Sequence, residues 1–399
     1  MPVRFSARRI MQSWGGGARP TEPRRVESGG VTVRPDPDPT TSGAAGAPRR
    51  YSVLLYCARS GSTFFAHRLA EADPRIAVVP EFRLASMLIW RSEAGVKALT
   101  PSGLQRLMDD DVQFGNLRLP EGAAADIAAR TAGRSTREVI EAVVDAHLDA
   151  VGLGDCRHVV LKNSEIALNG DRAREVFPEI RGLHVIRDVR GVANSMINTR
   201  SPYKDGQPMG RGNVMHATRL WLNYLARVDK LDWPVLHVSY ERLVAAPKPE
   251  AARAAAWLIG PEAGAPARSA GADLTVTDAV SAEGPGRFRI GEVERDMHRL
   301  AAGEGAVQRV EAWTSELPRW QVDAVEALAG REMIRRGYAL STEGGAPPRL
   351  SLRARSHDWG RRAMHWASSA GRLARWAISD RRMARIRLRQ FFAQLQGRY

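Results

Sequence analysis

Arg59, Ser60, Gly61, Ser62 and Thr63 are consecutive, and together they supply a cation, three hydroxyls and a glycine. That set suits an anion. Hydroxyl and backbone N–H groups donate to its oxygens, the guanidinium adds charge with several donors, and the glycine lets the backbone come close. The flanking residues say how the set is held. Ser52 to Tyr56 are mostly apolar residues of β type, and beyond the loop Phe65, Leu69 and Ala72 recur at helical spacing. Strand, small-residue loop, helix is the layout of a phosphate-binding loop, where the free N–H groups of the first helical turn face the anion. The nucleotide-triphosphatase pattern G-x-x-x-x-G-K-[ST] is not met: no Lys follows Gly61, and the first Gly is missing.

A second segment, GLHVIRDVRGVANSMI from Gly182 to Ile197, reads as another strand running into a helix. Arg187 stands at the carboxyl end of that strand, and Ser195 follows eight residues later, about two helical turns on. In open α/β sheets ligands bind outside the carboxyl ends of the strands. Arg59 and Arg187 are therefore expected to converge on one crevice. Taken singly, each segment has a plainer reading: a tight βα turn, or an ion pair between Arg187 and Asp188.

Together these segments resemble the sulfotransferases that use 3′-phosphoadenosine 5′-phosphosulfate (PAPS). Arg59-Ser60-Gly61-Ser62-Thr63-Phe64 is similar to their 5′-phosphosulfate loop, and Arg187 with Ser195 to their 3′-phosphate pair. Three further stretches resemble the family in order and spacing: VLHVSYERLV at Val235–Val244, GPGRFRIGEVERDM at Gly284–Met297, and ALAGREMIRRGYAL at Ala327–Leu340. The resemblance implies an α/β, P-loop-type three-layer fold with a central parallel sheet and helices on both faces. It implies an enzyme that moves a sulfuryl group from PAPS, with no metal, to a hydroxyl acceptor, a glycan or glycolipid for the carbohydrate-type relatives.

The resemblance also implies roles. Arg59 would neutralise the bridging oxygen of the leaving nucleotide, because positioning and charge stabilisation carry most of such a transfer. Phe64 and Tyr240 would lie beside adenine or in the core. Arg287 and Arg289 would return over the phosphates, with Gly291 permitting the turn. Cytosolic relatives take the acceptor proton with the His of a Lys-x-His pattern. Here that stretch is Lys162-Asn163-Ser164-Glu165, and the His is absent. Carbohydrate-type relatives place a Glu after the second strand, which makes Glu81 the favoured general base and Glu165 the reserve. Lys162 reads as a ligand of phosphosulfate or acceptor, or as a solvated strand-end lysine.

Charge locates the rest. The chain of 399 residues carries a formal +15, of which residues 1–50 hold +5 and residues 349–399 hold +11, leaving the interval between at −1. Basicity thus belongs to the tails, which argues against reading the whole protein as a nucleic-acid binder. Residues 1–49 read as a disordered basic segment rich in Gly, Pro, Ser and Thr, and the Arg-rich, acid-free opening also resembles a transit peptide. Residues 50–342 form the expected catalytic domain, and residues 343–399 a basic amphipathic helical tail. In that tail Trp359, Met364, Trp366, Leu373 and Trp376 alternate with arginines, a pattern suited to an anionic membrane surface or to packing on the domain. Strands are expected at Ile76–Val79 and His158–Leu161, with helices near 101–113, 135–151 and 216–231, and a flexible stretch over 260–285. Two cysteines, Cys57 and Cys156, make no disulfide framework or zinc pattern, so a reducing, cytoplasmic location is expected, peripheral at the membrane's inner face if the tail binds there. Two other functions fit less of the sequence: a phosphate-loop kinase, and a non-enzymatic adaptor acting through the tails on membrane or nucleic acid.

Overall fold

The computed structural model describes residues 48–201, 208–260, 287–288, 305–342 and 344–379. Arg289, Gly291, the flexible stretch, almost all of residues 1–49 and the last part of the tail lie outside them.

Five strands form one parallel sheet in the order β2-β3-β1-β4-β5. They are β1 (Arg50–Tyr56), β2 (Ile76–Val79), β3 (His158–Lys162), β4 (Arg181–Ile186) and β5 (Val235–Ser239). After its first residue β1 is buried throughout, as a strand covered on both faces must be. Its side chains alternate between two cores. Tyr51, Val53 and Leu55 join the core under α2 (Arg83–Trp90) and α3 (Thr136–Ala150), while Leu54 and Tyr56 join the one under α1 (Ser62–Ala72) and α6 (Pro247–Ile259). A third core gathers α4 (Val189–Asn198), α5 (Val214–Val228) and α7 (Arg319–Arg335). Because the chain leaves β1 for β2 and later returns past it to β4, strand order reverses at β1, and the carboxyl end of β1 is the place where such sheets bind ligands.

The expected strands stand. Two helices differ at their ends, each for a visible reason. The helix expected to reach residue 113 stops at Asp109, because the Asp111 carboxylate turns inward to accept N–H bonds from Leu84 and Gln113, both 2.9 Å. Helix α5 starts two residues early, where the Asn213 side chain caps it by accepting from the Met215 N–H.

The tail begins as helix α8 (Leu352–Ser379). Its first turns dock on the domain: Ala354 is fully buried, and Asp358 accepts from Asn213 (2.7 Å) and from both terminal nitrogens of Arg219 (3.0 and 2.9 Å). Burial alone would raise the pKa of Asp358, and the Arg219 and Asn213 bonds overcome it and hold the carboxyl below its ordinary value. Among the described residues no helix is long and apolar enough to cross a membrane.

His67, on α1, is buried against Phe288, and its Nε2 has no hydrogen-bond partner among the described residues. Burial, assisted by Arg68 and Lys162, pushes its pKa down to about 4. The folded state therefore keeps His67 neutral where the unfolded chain takes a proton. The stability this histidine contributes is fully present above pH 6.5 and is lost as pH falls toward 4, by on the order of 3 kcal/mol. The same direction holds for His184, whose pKa burial drives well down. Urea midpoints should fall steeply between pH 6.5 and 4.5, and His67→Phe should flatten that fall. An identical pH profile for the variant would remove His67 as a cause.

Candidate active site

The loop between β1 and α1 takes a shape few residues tolerate. Arg59 has φ 70° and Gly61 φ 90°, so two positions lie in the left-handed region, and Arg59 pays steric strain there. Gly61 has a second reason to be glycine. A Cβ at that position would lie 2.2 Å from Cδ2 of Tyr240, so the Tyr240 ring sits directly on the loop backbone. Ser60 N–H bonds the Cys57 carbonyl (3.1 Å), closing the turn. No side-chain hydrogen bond caps α1, so its amino end, at Ser62 and Thr63, is the helix terminus an incoming anion would approach. Burial pushes the Cys57 thiol up to about 12, making it a packed small residue rather than a nucleophile.

Arg187 ends β4 and meets this loop. It donates to the carbonyl of Arg59 (3.1 Å) and to that of Arg309, and its guanidinium lies 4.5 Å from the Tyr240 ring centroid. The expected meeting of Arg59 and Arg187 therefore occurs. Ser195, on α4, also reaches the site, but its hydroxyl accepts from Arg59 Nε (3.0 Å). The ion pair of Arg187 with Asp188 does not form, because Asp188 takes Arg190 instead, with closest approach 2.6 Å. Burial first, then the charges of Arg187 and Arg309, pushes the Arg59 pKa down to about 10. Burial likewise lowers that of Arg187. Two desolvated guanidiniums side by side are costly without an anion, and a phosphate or sulfate would relieve both. Two buried polar atoms here have no partner among the described residues: Ser60 Oγ and Arg187 Nε. Such orphans suit a ligand's oxygens.

Glu241 braces the crevice. Its carboxylate accepts from the Asp188 N–H (2.9 Å), Ser239 Oγ (2.9 Å) and the hydroxyl of Tyr338 (3.1 Å), so it joins the ends of β4 and β5 to the chain after α7. On α5, Trp221 Nε1 donates to the Arg187 carbonyl (3.1 Å), and the Tyr224 hydroxyl accepts from Tyr56 N–H (3.1 Å) and donates to the Ser164 carbonyl (3.0 Å).

Glu81 lies just past β2. Lys162 Nζ is 2.7 Å from Oε1, and Gln113 Nε2 is 2.7 Å from Oε2, so one donor fixes each oxygen. Lys162 is buried and also reaches the Tyr56 hydroxyl (3.4 Å), which ties Glu81 to the strand that feeds the loop. It is not a solvated strand-end lysine. Glu165 stands apart, accepting from Ser86 (3.0 Å) and Arg83 (3.4 Å) at the surface.

One expectation is corrected. Arg287 does not return over the phosphates. Its guanidinium bonds the carbonyls of Pro74 and Ile76 and the Sγ of Cys156, all at the amino ends of β2 and β3, opposite the loop. Phe288, buried against His67, holds that segment there. Arg289 and Gly291 lie outside the described residues. Phe64 is a core residue with Arg68 across its face (5.4 Å), and Tyr240 is 5% exposed, packed between Gly61 and Arg187. Sequence reasoning missed Arg309, whose carbonyl holds Arg187 and whose guanidinium pairs with Glu316 (2.8 Å), and it missed Gln113. No local pattern marks either residue.

Three solved structures are similar to this chain. The sulfotransferase domain of the olefin synthase from Synechococcus PCC 7002 is 13% identical, with a TM-score of 0.41, over 71% of this chain and 96% of that one. Sulfotransferase STF9 from Mycobacterium avium is 15% identical, with a TM-score of 0.34, over 75% and 79%. A sugar kinase from Janibacter is 17% identical, with a TM-score of 0.25, over 53% and 95%. No curated protein matches the chain in sequence. The match that decides is to the Sulfotransferase family over residues 54–260, just over half of the chain: the chain belongs to that family and is a sulfuryl-transferring enzyme.

Proposed function

We propose that this enzyme takes its sulfuryl group from PAPS and delivers it to a hydroxyl of a glycan or glycolipid. The observation that carries the donor assignment is the pair of buried guanidiniums, Arg59 and Arg187, beside the orphaned Ser60 Oγ and Arg187 Nε. A donor with phosphate at both 5′ and 3′ positions offers oxygens to both groups, where ATP offers none at the 3′ position. In this reading the loop N–H groups, Ser60, Ser62 and Thr63 hold the 5′ end, and Arg187 with Ser195 the 3′ end. Arg59, fixed by Ser195, faces the oxygen on which charge grows as the sulfuryl group leaves. In this reading Arg309, rather than Arg287, is the cation of the late chain that meets the site among the described residues.

Glu81 is the proposed base. The acceptor hydroxyl gives its proton to the carboxylate while its oxygen forms the new S–O bond and the bond to the nucleotide phosphate breaks. Lys162 and Gln113 hold the carboxyl plane, so Glu81 need not be ordered during the reaction. Glu165 is less suited, being engaged with Arg83 and Ser86. The glycan or glycolipid assignment is supported by a Glu after β2, as in the carbohydrate-type relatives, and by the absence of the cytosolic relatives' His from Lys162-Asn163-Ser164.

Calorimetric titration should show 3′,5′-bisphosphoadenosine binding more tightly than adenosine 5′-monophosphate. Arg187→Ala should cost roughly 2 to 5 kcal/mol of that binding, since it removes one member of a buried charged contact. Equal affinity for the two nucleotides would sink the donor assignment.

Glu81→Gln should lower turnover by about 10² to 10⁴ and leave nucleotide affinity nearly intact. Turnover and affinity should be measured on one preparation. Near-normal turnover would move the proton to Glu165 or to solvent.

A further inference from the structure

We infer that helix α8 is a docking element for an anionic lipid surface. One stripe of the helix docks and the side opposite it is exposed. Ala354 and Asp358 are buried, with His357 and Arg361 half-buried, at the spacing of one helical stripe against the domain. His357 packs on Trp320 (5.2 Å between rings), and Arg361 lies against Gly212. The opposite face carries Leu352 at 82% exposure and Trp359 at 74%, while Met364, 63% exposed, flanks the docked stripe one turn beyond Arg361; the three are among the seven large apolar residues that stand exposed among the described residues. Leu352 and Trp359 are seven residues apart, two turns of one face, and in the sequence Trp366 and Leu373 continue that interval.

Charge selects the occupant. Residues 349–379 hold seven arginines and one acid, Asp358. That acid is turned to the domain, where Asn213 and Arg219 bind it, and it also pairs with Arg362 of its own helix (3.1 Å), leaving six arginines without it. A second copy of this helix would set arginine against arginine with no acid to answer. Nucleic acid would satisfy the arginines but offers no apolar phase for Leu352, Trp359 and Met364. A bilayer with anionic headgroups satisfies both: arginines at the headgroups, tryptophan at the interface and leucine below. The anchor also sets the orientation. Asp358 is held by Asn213 and Arg219 at the start of α5, and two residues on Trp221 donates to the Arg187 carbonyl. The docking helix is therefore anchored to the helix whose Trp221 contacts the carboxyl end of β4, beside the phosphate loop. This inference does not rest on the proposed donor or acceptor, and its test uses neither.

The full chain should co-sediment with vesicles of phosphatidylcholine mixed with phosphatidylglycerol and stay in solution with phosphatidylcholine alone. Rising salt should release it, because exposed charges are screened within about 8 to 10 Å. The double substitution Leu352→Glu, Trp359→Glu should weaken binding by about tenfold or more at unchanged thermal midpoint. Arg349→Glu with Arg355→Glu, which leaves every buried contact in place, should do the same. Four results would overturn the inference: equal binding to neutral vesicles, equal binding by both double variants, a self-associated wild type that the Trp359 variant makes monomeric, or retention on duplex DNA that alone is lost in the variants.

Discussion

Two guanidinium groups are buried side by side at the carboxyl end of a parallel sheet, and burial lowers the pKa of both. Arg59 and Arg187 are there because the backbone puts them there: one on a left-handed loop, one at the end of β4. Burial and mutual repulsion push the Arg59 pKa down. Isolated, such a pair would spread apart or draw in water. Among the groups that hold it are neutral ones: the Arg59 and Arg309 carbonyls, the Ser195 hydroxyl and the face of Tyr240. These restrain the cations without cancelling their charge, which stays available to an anion.

Acids are kept close, but occupied elsewhere. Asp188, next to Arg187, caps α4 and takes the guanidinium of Arg190. Arg190 goes on to Glu326, fully buried on α7, which also accepts from the Ser341 N–H (3.0 Å) and Oγ (2.8 Å). Glu241 is spent on Asp188 N–H, Ser239 and Tyr338. Removing one member of such a buried chain leaves an unpaired charge and costs about 3 to 5 kcal/mol. The chain binds α4, α7 and the segment after α7 into a frame behind the crevice.

The second charged feature, Glu81 with Lys162, obeys the opposite rule. Here the charges are paired, and the lysine is buried while the carboxylate is partly open, at 22% side-chain exposure. An open carboxylate held on both oxygens can accept a proton without first being ordered. The two features lie at the ends of neighbouring strands. β1 carries the loop, β3 carries Lys162, and Tyr56 touches both the lysine and the start of the loop. Parallel register makes this possible: Leu54 of β1 pairs with Lys162, the last residue of β3, so β3 ends two residues short of Tyr56 and the loop.

What was legible in the sequence is what backbone periodicity and local chemistry control. Alternating apolar residues into a small-residue loop, then helical spacing, sufficed for β1, the loop and α1. The same logic found β4 with Arg187 and β2 with Glu81 after it, and topology then required the crevice to lie where the strands end. Partner choice was not legible, because it depends on which loops close over which strand ends. Ser195 pairs with Arg59, 136 residues away, and Lys162 with Glu81, 81 residues away, and no periodicity encodes such distances. Arg309 enters the site from a segment with no motif, whereas Arg287, from a segment that resembled one, is pinned at the far edge by Pro74, Ile76 and the burial of Phe288. A motif names the residue types that could serve. Burial and hydrogen-bond competition, which exist only once the chain is folded, decided which of them reached the site.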